Sequence, residues 1–324
     1  QLNEVLFDYH RGILTIAEES TSWPAVSRPT YLGGLGFNLK WNMGWMNDFL
    51  EYVEKEPIHR KYHHNNLTFA LIYAFHENFT LVISHDEVVH GKGSLISKMP
   101  GDDWQKFANV RLAIGYMYAH PGKKLLFQGC EFGHWAEWNF NQSIDWHLCD
   151  WEPHQQLQRF VEDLNKVYRK HPALYEVDFE PHGFQWIDFH DWEGSIVSFI
   201  RRGRNPEDVV VAICNFTPVV RENYRIGVPL HADWEEILNS DSGIYGGANV
   251  GNMGGYWSDE VSWQGQPCSI CLRLPPLAVM LFAPRRQQNI VVEGRVVEEK
   301  AAPEKKETAA KKTAVKKKAA PKKG

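Results

Sequence analysis

Two apolar runs in this chain each end abruptly in a carboxylate. Ile13-Leu14-Thr15-Ile16-Ala17 runs into Glu18, and Phe79-Thr80-Leu81-Val82-Ile83 runs into Ser84-His85-Asp86. Continuous rather than alternating hydrophobicity marks a strand covered on both faces, as in a parallel sheet flanked by helices. In a (β/α)8 barrel the carboxyl ends of such strands carry the chemistry. The pair therefore predicts an α/β fold with carboxylate catalysis at one end of its sheet.

Spacing tests that reading. A barrel of about 250 residues gives roughly 31 residues per βα unit. Glu18 and Asp86 stand about 68 positions apart, close to two units. A third buried run, Lys123 to Gly129, follows Asp86 by one unit and a modest insertion. The three runs fit units 5, 7 and 8 of a barrel, with unit 6 in the Leu35–Lys40 region. Helices are expected between them. Gly44–Lys55 has Trp45, Phe49, Tyr52 and Val53 at helical spacing. Asp102 or Asp103 caps a helix lined by Phe107, Val110, Ile114 and Met117 and stopped at Pro121-Gly122. Another helix runs from about Gln155 to Lys170.

After Val177 the period changes. Short strand-like runs recur between turn signals at Ser195–Ile200, Val209–Cys214, Tyr224–Val228, Trp234–Leu238, Ile270–Leu274 and Ala278–Phe282. This is the pattern of a small antiparallel β-sandwich. The expected organisation is the C-terminal half of a (β/α)8 barrel over residues 1–176 and a β-sandwich over 177–286. A disordered Lys/Ala-rich tail over 287–324 completes it.

Charge is uneven along the chain. Thr308 to Gly324 holds seven lysines and no acid, so the remainder is more acidic than the overall net charge of −5. An acidic folded part argues against a nucleic-acid binder, and the tail itself is a candidate for weak contact with polyanions. Of five cysteines, Cys268 and Cys271 form an isolated C-x-x-C in a strand-like run. Alternation along a strand sends the two to opposite faces, which argues against zinc and redox roles. No run has membrane-spanning length. An odd cysteine count with no recognisable leader points to a reducing cytoplasm. Aromatic residues make up 13% of the chain, a supply from which a sugar cleft can draw stacking faces.

At the level of motifs the chain resembles the glycogen branching enzymes of the α-amylase superfamily. Thr15-Ile16-Ala17-Glu18-Glu19-Ser20 resembles their acid/base segment, and Ser84-His85-Asp86-Glu87-Val88-Val89-His90-Gly91-Lys92 their segment after strand 7. The similarity continues through Tyr62-His63-His64, Pro121 to Phe127, Gly129-Cys130-Glu131-Phe132, Glu137-Trp138-Asn139 and Ser143-Ile144-Asp145-Trp146. It reaches Asn215-Phe216-Thr217-Pro218 and Asn239-Ser240-Asp241-Ser242.

The resemblance implies a retaining double displacement on an α-1,4-glucan such as glycogen or amylose, with transfer to a 6-hydroxyl and with no cofactor or metal. It implies that Glu18 is the acid/base and Asp86 the transition-state stabiliser, Glu19 being the alternative to Glu18. It implies that His85 bonds the sugar and that Lys92, Glu131 and Trp138 line the cleft, with Glu87 nearby. A monomer is expected for the full-length enzyme. Two rivals remain open: a related α-glucan hydrolase, and a non-catalytic glucan binder. His63-His64 and the Ser84–Lys92 run favour branching. The family's nucleophile, an Asp in an Arg-x-Asp-Ala-Val type of segment, has no counterpart in these residues. The nearest upstream acid, Asp8, reads as the end of a helix. The chain as it stands is therefore expected to be inactive alone.

Overall fold

The structure, a computed structural model, describes residues 1–285 and two short strands beyond them. In chain order the first part comprises α1 (Leu2–Tyr9), β1 (Ile16–Ala17), β2 (Leu39–Trp41), α2 (Met43–Glu54), α3 (Pro57–Arg60) and α4 (Asn65–Thr68). It continues with β3 (Phe79–Ile83), α5 (Asp103–Ala119), β4 (Lys123–Leu126) and α6 (Glu152–Lys170). The four strands form one sheet in sequence order, β1-β2-β3-β4, and all three pairings are parallel. β3 is buried at every residue, as its unbroken apolar run requires. β4 is only half-buried along its length. β1 pairs with β2 alone among the described residues, and Leu14 and Ile16 beside its other edge are 67% and 43% exposed.

The crossover from β1 to β2 contains no α-helix. Instead the loop is pinned by the buried Glu77, which accepts from Val26 N and Ser27 N at 2.8 Å each. The start of α5 is set as the sequence suggests. Asp102 accepts from Gln105 N at 2.9 Å, and Gln105 Oε1 accepts from Asp102 N at 3.1 Å, a reciprocal capping box.

The second part is all β: β5 (Phe184–Asp188), β6 (Ile196–Arg202), β7 (Val209–Asn215), β8 (Arg221–Val228), β9 (Asp233–Asn239), β10 (Gly255–Trp257), β11 (Cys268–Leu274) and β12 (Ala278–Pro284). Six strands form an antiparallel sheet in the order β10-β9-β12-β7-β6-β5, faced by the pair β11-β8. Cys268 is buried and Cys271 half-buried, and both are free.

α5 is the wall shared by the two parts. It is apolar nearly all round, as a fully enclosed helix must be. One side packs on α6 and, through Tyr116 stacked on Phe49, on α2, and another lies on β7 and β12. A Cβ on Gly115 would stand 2.3 Å from Val279 Cγ1, so helix and sheet touch there through a bare backbone. The inner strands β6, β7 and β12 are covered on their other face by β8 and β11, through Ile200, Val211, Ile226, Ile270 and Met280.

Three fully buried arginines stitch the parts together. Arg60 donates to Phe216 O at 2.8 Å, Arg111 to Ser240 O at 2.8 Å, and Arg201 to Ala119 O at 2.7 Å. Each satisfies a carbonyl across the boundary, which offsets the cost of burying its charge. Residues 1–285 accordingly behave as one compact unit.

In the separate unit 286–324, β13 (Ile290–Val292) and β14 (Arg295–Val297) pair antiparallel. The Lys-rich stretch assigned to a disordered, polyanion-binding tail lies outside the described residues. No helix among the described residues is long and apolar enough to cross a membrane, and no group of His, Cys, Asp and Glu among them could hold a metal ion.

Candidate active site

The site is built at the carboxyl ends of β1, β3 and β4. Ala17 pairs with Lys40, and Trp41 with Thr80. Continuing the register by one residue sets Glu18 level with Trp41 and Thr80. Asp86 follows the end of β3, in the 3-10 turn His85–Val88. Glu18 and Asp86 thus leave the same end of one sheet, two strands apart. At about 4.8 Å per strand spacing this separates their strands by roughly 10 Å. No hydrogen bond or ion pair joins them. The Glu18 carboxylate is exposed and unpartnered among the described residues.

Glu19 is in a different state. Lys40, buried on β2, donates to Glu19 Oε2 at 2.6 Å, and Thr21 N donates to Oε1 at 2.7 Å. The lysine bond first, and then the Thr21 bond, hold the Glu19 carboxyl down at about 2. A group so firmly ionised cannot deliver a proton near neutral pH.

The turn bearing Asp86 is fixed from several sides. Glu87 is buried, and its Oε2 accepts from Ser84 N at 2.5 Å and Ser84 Oγ at 2.7 Å. Its carboxylate is therefore consumed by the turn rather than presented to a cleft. His85 Nε2 stands 3.2 Å from Asp86 Oδ1, and both side chains are half-exposed. The Trp138 ring meets His85 edge-on at 5.9 Å and Phe127 at 5.2 Å, walling one side. Trp138 N also donates to Val88 O at 2.9 Å. Lys92 reaches back so that Nζ donates to Asp86 O at 2.7 Å. Glu131 lies half-buried in the turn after β4, beside Cys130, and bonds neither His85 nor Asp86.

One contributor lies in a motif segment, although the sequence alone assigns it no role. Glu137 accepts from Gly91 N at 3.1 Å and Gly93 N at 2.6 Å. His90, Gly91 and Gly93 all take positive φ, and the Gly91 and Gly93 amides converge on that carboxylate as an anion nest. These amides hold the Glu137 carboxyl below its ordinary range. Glu137 thereby ties the loop after β3 to the loop after β4.

A second concavity lies between the parts. Trp104, Phe107, Trp135, Trp151 and His154 line a cavity of about 400 Å³ that also touches Gly246. Trp104 Nε1 donates to Gly246 O at 2.9 Å. Arg111, on its wall, keeps Nη2 without a partner although the side chain is buried.

Residues 186–285 match the α-amylase C-terminal all-β domain. The chain is 58% identical over 280 residues to the 1,4-α-glucan branching enzyme of Aquifex aeolicus, covering 86% of this chain and 44% of that one. It is 56% identical over 289 residues to that of Gloeobacter violaceus, covering 89% and 39%. With that of Pseudomonas putida it shares 57% over 283 residues, covering 87% and 38%. It thus spans about two-fifths of the length of the curated relatives it matches. Among solved structures, a pullulanase from Paenibacillus barengoltzii superposes with a TM-score of 0.59 at 17% identity, over 88% of this chain and 45% of that chain. An α-amylase from H. orenii gives 0.54 at 12%, over 87% and 55%. These two show a shared fold.

Proposed function

We propose, for a chain that belongs with the C-terminal portion of the 1,4-α-glucan branching enzymes, that it carries two of the three carboxylates of a branching site. The four-stranded parallel sheet is then the second half of a (β/α)8 barrel, and the all-β part after about residue 176 is its C-terminal sandwich. The reaction cleaves an α-1,4-glucan by retaining double displacement and transfers the chain to a glucan 6-hydroxyl. Glu18 protonates the leaving oxygen and then takes the proton of the incoming hydroxyl. Asp86 and His85 hold the ring of the reacting sugar and stabilise the positive charge that develops on it. Trp138, with Phe127 behind it, shapes the wall of that subsite. Lys92 steadies the Asp86 backbone, and Glu131 borders the cleft.

One observation carries this reading: Glu18 and Asp86 follow parallel strands of one sheet, at one end, with a single strand between them. A retaining pair must stand about 5 Å apart. The branching-enzyme resemblance assigns Asp86 to stabilising the transition state rather than to attack. The strand between them ends in Asn42 and offers no carboxylate. The nucleophile that the resemblance implies sits in an Arg-x-Asp-Ala-Val type of segment, which these residues do not contain. Without it no covalent intermediate forms.

The purified chain is expected to leave the iodine-stained absorbance of amylose unchanged. Joined to the preceding portion of the Aquifex aeolicus enzyme, it should branch amylose. Glu18→Gln or Asp86→Asn in the joined chain should then lower kcat by at least about 10³-fold. Branching by the 324 residues alone, or an active Glu18→Gln joined chain, would sink the reading.

A second reading has its own support. The Trp-walled cavity offers stacking faces to a glucan chain, independently of any nucleophile. On that reading the chain alone binds glucan without turning it over. Retention on an amylopectin column, lost in Trp104→Ala and Trp151→Ala, supports it.

A further inference from the structure

The Asp86 turn is steadied by a lysine that ought to be loose. Lys92 is exposed, yet its Nζ reaches back to donate to Asp86 O at 2.7 Å. A surface lysine gives up side-chain freedom to hold one geometry, so such a bond is weak unless the backbone beneath it is already fixed. Here it is fixed. Glu137 accepts from Gly91 N at 3.1 Å and from Gly93 N at 2.6 Å, the amides on either side of Lys92. Lys92 N donates to Val89 O at 3.2 Å, and Lys92 O accepts from Lys98 Nζ. Lys98 in turn pairs with Glu54 of α2 at 3.4 Å.

This loop shape has a cost that something must offset. His90, Gly91 and Gly93 stand at φ of 57°, 81° and 76°, left-handed backbone that glycine alone enters freely. Both amides flanking Lys92 end on one carboxylate, whose charge strengthens each bond. The next residue grips the same turn from another side. Trp138 N donates to Val88 O at 2.9 Å, and its ring meets His85 edge-on. Two successive residues of the loop after β4 therefore hold the His85–Val88 turn, Trp138 directly and Glu137 by way of Lys92.

We propose that Glu137 is a positioning residue for Asp86, acting through the backbone of Lys92. Its carboxylate orders Gly91 to Gly93, which aims the Lys92 ammonium at the Asp86 carbonyl and so fixes where Asp86 and His85 meet the reacting sugar. The proposal rests on the reading of Asp86 as the transition-state stabiliser.

Backbone NMR of the 324-residue chain tests the route without turnover. Loss of the lysine bond moves the Asp86 carbonyl carbon upfield. Lys92→Met should show that shift, and Lys92→Arg, which keeps a donor, should show less of it. Glu137→Gln should move the same carbon in the same direction, and should add nothing in a Lys92→Met background. Gly93→Ala breaks the nest from its other side, since its Cβ would stand 2.7 Å from Ser97 Oγ. It should move the Asp86 carbonyl as Glu137→Gln does, and it decides the matter should Glu137→Gln not fold. In the joined chain, Glu137→Gln and Lys92→Met should each lower kcat by about ten-fold with KM held within about two-fold. The double variant should also lose about ten-fold rather than about a hundred-fold, because the two residues act in series. A tie that served the fold alone would multiply the two losses and leave the Asp86 carbonyl in place. An unmoved Asp86 carbonyl in Glu137→Gln, or a further shift when it is added to Lys92→Met, overturns the proposal. An active Asp86→Asn joined chain removes the stabiliser reading and this proposal together. An inactive one with an unmoved carbonyl in Glu137→Gln removes this proposal alone.

Discussion

Asp178 and Arg201 face each other at 2.7 Å with neither side chain exposed to solvent. Asp178 precedes the sandwich and Arg201 lies on β6. Lys123 at the start of β4 donates to the other Asp178 oxygen at 2.8 Å. One carboxylate thus joins the parallel sheet, the connecting segment and the sandwich.

Removing that carboxylate strands two cations. Asp178→Ala should destabilise the chain by about 3–5 kcal/mol, the usual cost of breaking a buried pair. Burial pushes the Asp178 carboxyl up, but Lys124, Arg201 and Lys123 outweigh it and hold the group below its ordinary value. A depressed carboxyl stabilises the fold above its unfolded pKa, and the contribution is lost as pH falls through the folded value. Denaturant melts below about pH 4 should therefore show parent and Asp178→Asn converging.

His120 predicts a loss of stability at milder acidity. It is fully buried, and burial drives its imidazole down to about 3, with Lys124 and Arg201 adding to the effect. The unfolded chain binds a proton near pH 6.5 that the folded chain refuses. Stability must then fall as pH drops below 6.5, by about 2 kcal/mol at pH 5. His120→Gln should flatten that slope in thermal melts between pH 7 and 5. An unchanged slope would remove His120 as its source.

At the contact of α5 with β12, Gly115→Ala should cost about 1–3 kcal/mol by overpacking. The clash is with Val279 Cγ1 at 2.3 Å, so Val279→Ala in the same chain should recover part of the loss. A double-mutant cycle in urea should give a coupling energy of opposite sign to the single costs. Strict additivity would mean the helix relaxes elsewhere.

Glu137 should control the order of the loop after β3. Glu137→Gln keeps one acceptor but loses the charge that the nest favours. Amide exchange at Gly91 and Gly93 should quicken by about ten-fold, while the exchange of core amides in α5 stays unchanged. Equal acceleration throughout would point to global loosening instead.

Much of this arrangement can be traced to local sequence. β3 announces itself because both its faces are covered, leaving five buried residues in a row, four of them apolar with the β-branched Thr80 among them. α5 starts where Asp102 and Gln105 can cap each other. β6, β7 and β12 are legible for the same reason as β3, since each is pressed between α5 and a second sheet. β5 and β10 are not, because they lie at sheet edges where exposed and half-buried residues mix. α6 begins at Glu152, ahead of the apolar stripe that betrays it, since Pro153 fits a first helical turn. The site shows the same division. The segments around Glu18 and Asp86 stand out as motifs. The difference between Glu18 and Glu19 does not, because it is made by Lys40, about 21 positions away. The engagement of Glu137 by Gly91 and Gly93 is equally invisible until the loops are folded beside each other.

The enclosed position of α5 has a practical corollary for anyone recombining such proteins. A crossover at the change of hydrophobic period, near Val177, would give the sandwich a foreign helix to sit on. Gly115 would then meet a foreign Val279, and each of Arg60, Arg111 and Arg201 a carbonyl from the other parent. Grafts that carry α3 and α5 together with β6, β7, β9 and β12 and the residues directly after β7 and β9 keep each carbonyl with its arginine, and should express where grafts cut at the sequence boundary precipitate.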